Sequence, residues 1–474
     1  MSAALADPRS FLDGVALRSD LGIGMRSVEQ VVEAYIEQLD RLHPALNAAT
    51  QIFHDEARAK ATYTDTGVLG GLPISVKETL GITGTTVTAG SARMPEWRVE
   101  DDAAVVQRLR EAGAIILARG NLSEFGMVHE ADNLVFGRTN NPLNPERSPG
   151  GSSGGDAALV ASGSVVFGIG TDIGGSIRYP AHCCGVVGFK PASEAVDKTR
   201  TWPPEREETF SDSMLAIGPI TRSVRDARLV YEVIADDGLP RTERTTSTRL
   251  VVPDDFAMKT REAVIDRAYE RAQAGLVDAG LEQERRSVPD AAQAFRNYIT
   301  VLIDDYEQPI RKGLTTEDGK TFSISREGFR HLTGRPTVHK YLYRLLALMP
   351  LVRPSAATAA HAREEIRETR AAIRDVLGTD GVLLVPANGA LAMPHGDAAA
   401  YMARPGVRSL FTPTIYANVL NLPAITVPAW TDRDPETGLV PGIMLCSAPG
   451  AEARLLDAAE ALEGAVNPVA APSD

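Results

Sequence analysis

The chain has 474 residues, 43% hydrophobic and 23% charged, with 62 acidic against 49 basic side chains and a net charge of −13. A chain of this length and ordinary composition can bury a core without a metal or a disulfide. The acidic balance argues against nucleic acid or an anionic membrane surface as the working partner.

The first twenty residues contain Asp7, Pro8 and Asp13 and lack the basic-then-apolar order of a secretory signal. No uncharged apolar run reaches the length of about 18 residues that a membrane span needs, so a soluble chain is expected. Ser27 and Gln30 have capping-box spacing, and Val28, Val31, Val32, Tyr35, Leu39 and Leu42 follow at helical spacing. Residues 72–76 read as a short buried strand ending at Lys77. A helix around 102–112, a strand at 114–118, a small-residue helix at 156–163 and a strand at 164–169 continue an α/β rhythm. Beyond about 230, the stretches 260–285 and 355–377 are charged, Ala-rich and predicted helical, with a less regular segment between them. Strand-like runs return at 382–386 and 424–428. Cys183 and Cys184 are adjacent and Cys446 is distant; they give no disulfide framework and point to a reducing cytoplasm.

Two glycine-rich loops lie close together, SPGGSSGG (148–155) and GTDIGGSIR (170–178). A phosphate loop needs Lys after its last glycine, where this chain has Asp156, and a dinucleotide fingerprint from Gly168 fails at Ile173. The second loop suits an oxyanion site instead. It joins an apolar strand to a helix-compatible stretch, Gly174 and Gly175 let the main chain approach a carbonyl, and Ser176 stands ready to attack it. The eight histidines sit in no triad context and there is no G-x-S-x-G elbow. Lysine is the documented alternative base, and Lys77, ending a buried strand, is the candidate. Either Ser152 or Ser153 can carry the proton between them.

The set GGLPISVKE (70–78), SPGGSSGG (148–155), GTDIGGSIRYPA (170–181) and CGVVGFKP (184–191) resembles the amidase signature family. The resemblance implies an α/β fold, a large mixed β-sheet sandwiched between helices, and a Ser–cis-Ser–Lys triad that cleaves amides through an acyl-enzyme. It places the base on Lys77, the cis-peptide serine on Ser152, the nucleophile on Ser176 and the oxyanion donors on the N–H groups of Ile173, Gly174, Gly175 and Ser176. It implies a single amidase domain over 1–474, with a catalytic core at about 65–230 and a helical substrate-pocket region at about 255–378. Glu78, Ala192 and Asp156 depart from the family's usual residues without touching the triad.

Asp172 and Arg178 are expected to hold the nucleophile loop by ion pairing, and the cysteines to be buried small residues. Met127, within EFGMV (124–128), is a candidate for the acyl pocket. The stretch 341–349 reads as core helix by default and as an apolar channel wall by the alternative. The C-terminal half is similar to fatty-acid amide hydrolase-like members, which favours lipophilic or aryl acyl amides. The alternatives are an esterase on the same triad and a subunit of a glutamine-dependent amidotransferase; a catalytically dead scaffold is disfavoured by the intact triad. No cofactor and no metal are expected. The expected partner is a small-molecule amide, with no nucleic acid, no membrane span and a homodimer as the assembly the reading admits.

Overall fold

The computed structural model describes residues 7–63, 67–95, 97–203, 209–238, 248–256, 262–315, 321–398 and 405–468. Eleven strands form one mixed sheet. In spatial order they are Ala49–Ile52, Ile115–Gly120, Pro73–Lys77, Phe167–Asp172, Ala216–Thr221, Val187–Lys190, Ala424–Pro428, Gly442–Ser447, Gly381–Pro386, Arg249–Pro253 and Glu282–Arg286. Most inner strands are buried along their whole length, as near-continuous apolar runs require when helices cover both faces; Phe167–Asp172 is half-buried only at Thr171 and Arg249–Pro253 only at its ends.

The register sets the geometry of everything that follows. Pro73–Lys77 runs parallel to Phe167–Asp172, with Ile74, Ser75 and Val76 opposite Phe167, Gly168 and Ile169. Lys77 and Asp172 therefore close neighbouring strands at their carboxyl ends, where open α/β sheets offer a crevice. The small-residue helix Gly154–Ala161 lies directly on these strands. A Cβ on Gly155 would collide with the backbone of Asn121 and Ala48, so only glycine permits this approach.

The first long helix, Val28–Leu46, opens on the expected capping box: Gln30 N donates to Ser27 Oγ at 3.3 Å and Ser27 N to Gln30 Oε1 at 2.9 Å. Its buried face carries Val28, Val31, Val32, Leu39 and Leu42 as expected. Ile36 is fully buried, while Tyr35 is only partly so.

The second half departs from expectation in two places. Within 260–285, residues 260 and 261 lie outside the described residues, and the helix Ala263–Asp278 ends at Gly280, which has φ 95°. Glu282–Arg286 is then a strand at the edge of the sheet, parallel to Arg249–Pro253. Its charges read as a solvated helix, yet an edge strand with one side to water tolerates them equally and is protected from pairing by them. The supposedly irregular segment before 355 is helical: Ala291–Gly313, Ile324–Leu332 and Lys340–Val352. Among the described residues no helix is long and apolar enough to cross a membrane.

Candidate active site

The crevice at the ends of Pro73–Lys77 and Phe167–Asp172 brings Lys77, Ser152 and Ser176 into one pocket. Lys77 is 1% exposed, and its Nζ donates to Ser152 Oγ at 2.7 Å and to Thr171 Oγ1 at 2.9 Å. Burial pushes the Lys77 ammonium below its ordinary value, against the opposing pull of Asp156, Asp172 and Glu78. The Asp156 carboxyl behind it, accepting from Ser75 Oγ at 2.7 Å, is pushed up by the same burial.

Ser152 follows a cis Gly151–Ser152 peptide. Its loop is braced by Ser148 Oγ, which donates to Glu130 Oε2 at 2.8 Å, and by Asn141 Nδ2, which donates to the Ser148 carbonyl at 3.0 Å. Ser153, the other hydroxyl that the sequence left open, turns to the Thr171 carbonyl at 3.4 Å, while its N–H donates to the Ser176 carbonyl at 3.1 Å. Of the two serines, Ser152 is the one whose hydroxyl meets Lys77.

The turn 173–177 before the helix Arg178–Cys184 is organised by Asp172. Its fully buried carboxylate accepts from Gly175 N at 2.7 Å, Ile177 N at 3.1 Å, Arg178 Nε and Nη2 at 3.0 Å each and Asn418 Nδ2 at 2.8 Å. Burial alone would raise this carboxyl, but the Arg178 guanidinium beside it holds it well below the usual carboxylate range. The expected Asp172–Arg178 pair is present. It also corrects the donor set, because the Gly175 N–H points into the protein at Asp172. The N–H groups of Ile173, Gly174 and Ser176 have no acceptor among the described residues. The glycine at 175 is needed for shape: its φ is 106°, and a Cβ there would run into Thr414.

The pocket wall is apolar. Met127 lines it with Phe125, Ile173 and Trp202, and Phe125 stacks on Trp202 with ring centroids 4.9 Å apart. The other side comes from the helix Ala291–Gly313, which presents Tyr298, Leu302 and Tyr306 at four-residue spacing. The channel-wall alternative for 341–349 is not what the structure shows. Leu342, Leu346 and Met349 pack one layer behind the pocket, in a cluster with Phe125 and Ile310. A long helix already occupies the pocket face, so the second apolar helix can bury its stripe only against the first. The 298/302/306 spacing was the available signal for the true wall. Sequence reasoning also missed Thr171 and His129. The latter carries no motif and is recognisable only by the bond of its Nε2 to the Gly174 carbonyl at 2.8 Å. Cys183, Cys184 and Cys446 are buried and unpaired by disulfides.

Known proteins share both the sequence and the fold. The family description Amidase matches residues 30–456. The glutamyl-tRNA(Gln) amidotransferase A-subunit of Anaeromyxobacter dehalogenans is 30% identical over 511 residues, covering 99% of this chain and 100% of its own. A crystal structure of an amidase superposes with a TM-score of 0.79 at 25% identity, covering 96% of this chain and 99% of that one. A fatty acid amide hydrolase does so with a TM-score of 0.76 at 20% identity, covering 96% and 85%, a likeness of fold. The expectation of a small amide as sole partner, with a homodimer and no nucleic acid, is corrected here. The curated relative is by name one subunit of an amidotransferase and bears a tRNA in that name. Net charge is a whole-chain sum and is blind to contacts that a companion chain would make. The family description spans most of the sequence and the fold is shared throughout: the chain belongs to the amidase signature family, enzymes that hydrolyse amide carbon–nitrogen bonds.

Proposed function

We propose that the chain hydrolyses carboxylic amides of apolar acyl groups through an acyl-enzyme on Ser176, with Ser152 as proton bridge and Lys77 as base. The observation that carries this reading is a buried lysine amine 2.7 Å from Ser152 Oγ in the pocket that holds Ser176. With Lys77 neutral, its lone pair takes the Ser152 proton as Ser152 Oγ takes that of Ser176. Ser176 Oγ then attacks the carbonyl carbon, and the oxygen gains its negative charge beside the N–H groups of Ile173, Gly174 and Ser176. The proton returns through Ser152 to the departing nitrogen, and water releases the acid by the same route.

A second reading, one subunit of a glutamine-dependent amidotransferase, is the one that the names of the sequence relatives favour. Against it stands the pocket: among its described lining residues the only formal charge is that of Lys77. Glutamine brings an ammonium and a carboxylate, whose burial without partners is costly. Ammonia release by the purified chain, from glutamine and from a series of apolar acyl amides, separates the two. Turnover of the apolar amides with none of glutamine supports the hydrolase. Glutamine turnover alone, above all turnover that needs companion subunits, replaces it with the transferase. Labelling by a fluorophosphonate that is lost in Ser176→Ala tests the nucleophile in both cases.

A further inference from the structure

We propose that His129 is a positioning residue for the oxyanion loop: its Nε2–H, donated to the Gly174 carbonyl at 2.8 Å, fixes the Gly174–Gly175 peptide plane, whose N–H is held from the other end by Asp172. The inference rests on the acyl-enzyme reading given above.

A carbonyl oxygen has no hydrogen to give, so the proton of this bond sits on Nε2. The ring is 5% exposed and wedged between Tyr179, met edge-on with centroids 5.5 Å apart, and Phe411 at 4.5 Å. Burial lowers the imidazole to about 4, so it is neutral and its single N–H is committed to Gly174.

The plane it holds is the weakest point of the loop. Both residues of that amide are glycines and Gly175 has φ 106°, so no Cβ resists rotation about the peptide. A half-turn would set the Gly174 carbonyl against the Asp172 carboxylate and the Gly175 N–H against His129, and the turn on either side, which carries the N–H groups of Gly174 and Ser176, would shift with it. His129 on the oxygen and Asp172 on the nitrogen make that rotation cost two hydrogen bonds in a buried site. Asp172 divides its carboxylate among Gly175, Ile177, Arg178 and Asn418, whereas the Nε2–H of His129 is aimed at the Gly174 oxygen. His129 borders the pocket, but its effect on the reaction passes through the main chain.

The test is the rate at which a fluorophosphonate phosphonylates Ser176. In that step the Ser176 Oγ–P bond forms, the P–F bond breaks, fluoride leaves, the serine proton passes to Lys77, and negative charge gathers on the phosphoryl oxygen in the loop. His129→Phe keeps a ring between Tyr179 and Phe411 but removes the N–H; His129→Gln restores an N–H at similar reach. Labelling by His129→Phe should slow by about 100-fold at saturating probe, with half-saturation within about threefold of the parent enzyme. His129→Gln should regain at least about tenfold of that loss. Where an apolar acyl anilide is turned over, kcat should fall in parallel and KM stay. Labelling by His129→Phe within about threefold of the parent, a loss confined to half-saturation or KM, or a Gln variant as slow as the Phe variant overturns the proposal. Should the Phe variant fail to fold, Gln against the shorter His129→Asn carries the same comparison, Asn being expected slower. A parent enzyme that is not labelled at Ser176 sinks the acyl-enzyme reading itself, an outcome visible before any variant is made.

Discussion

Removing the carboxylate of Asp172 is the sharpest test of how the nucleophile turn is held. The side chain is fully buried and receives two backbone N–H groups, two guanidinium N–H groups and one amide N–H. In Asp172→Ala the Arg178 guanidinium, equally buried, is left without its counter-charge. Breaking one side of such a pair costs about 3–5 kcal/mol, chiefly as the penalty of the stranded ion. Urea denaturation followed by tryptophan fluorescence should show a loss of that size with an unchanged m-value. Arg178→Met alone should also be costly, since it strands Asp172. The double variant Asp172→Leu with Arg178→Met, which strands no charge, should lose less than the sum of its singles, by at least about 1 kcal/mol. The sign of the pH effect follows from the lowered carboxyl. Its stabilisation is complete above the unfolded value of about 3.9 and fades only as pH falls toward the lowered folded value. The carboxyl's own contribution to the stability gap between parent and Asp172→Ala should therefore be lost only in strong acid, while any change of the gap near neutrality reports Lys77 and Lys190, whose ammonium groups Asp172 favours. A single-variant loss below about 1 kcal/mol, or strictly additive singles, would refute the reasoning.

Lys77→Met should lower kcat by orders of magnitude with little change in substrate binding. The depressed ammonium sets the parent profile: kcat/KM should rise with pH through a value below the free-lysine 10.5, because the active form is the unprotonated amine. A profile flat from pH 6 to 9 in a chemistry-limited assay contradicts the base assignment. Leu302→Ala should raise KM for apolar acyl amides by about 10-fold or more. Leu346→Ala, one layer back, should instead cost about 2–5 kcal/mol of stability and spare KM; the reverse pattern, read by kinetics and denaturation together, would restore the 341–349 stretch as the wall. Gly175→Ala should abolish fluorophosphonate labelling even where the protein remains folded, since a methyl there meets Thr414; normal labelling would mean that the turn adapts.

What could be read ahead follows a physical division. The strand ending at Lys77, the two glycine loops and the capped helix from Val28 are specified by local pattern, and the sheet confirms their type with shifts of a few residues at the ends. Glu282–Arg286 was missed because an edge strand and a solvated helix share a polar composition, and only pairing with Arg249–Pro253 distinguishes them. At the site, Lys77, Ser152 and Ser176 could be nominated from motifs and chemical type. Which of Ser152 and Ser153 faces the lysine could not be settled by elementary arguments, since adjacent hydroxyls in one glycine-flanked loop are told apart only by their partners in the folded chain. The diversion of the Gly175 N–H to Asp172 was hidden for a similar reason: a run of glycines says that the backbone is close, never which way each amide points. His129 and Tyr298 reach the turn from separate parts of the chain, and separation in sequence erases such contacts from any local pattern.

The parallel pairing of Pro73–Lys77 with Phe167–Asp172 has a further implication. The lysine and the serine turn are aligned by ladder hydrogen bonds within the sheet, while part of the pocket wall is lent by one helix, Ala291–Gly313, from outside it. Substitutions at Leu302 on that helix can reshape what the cleft accepts, whereas Tyr298 on the same helix sits against Gly174 of the serine turn. Reactivity and selectivity in this protein are thus separable at Leu302, and a lineage could exchange one substrate for another there while its chemistry stands still.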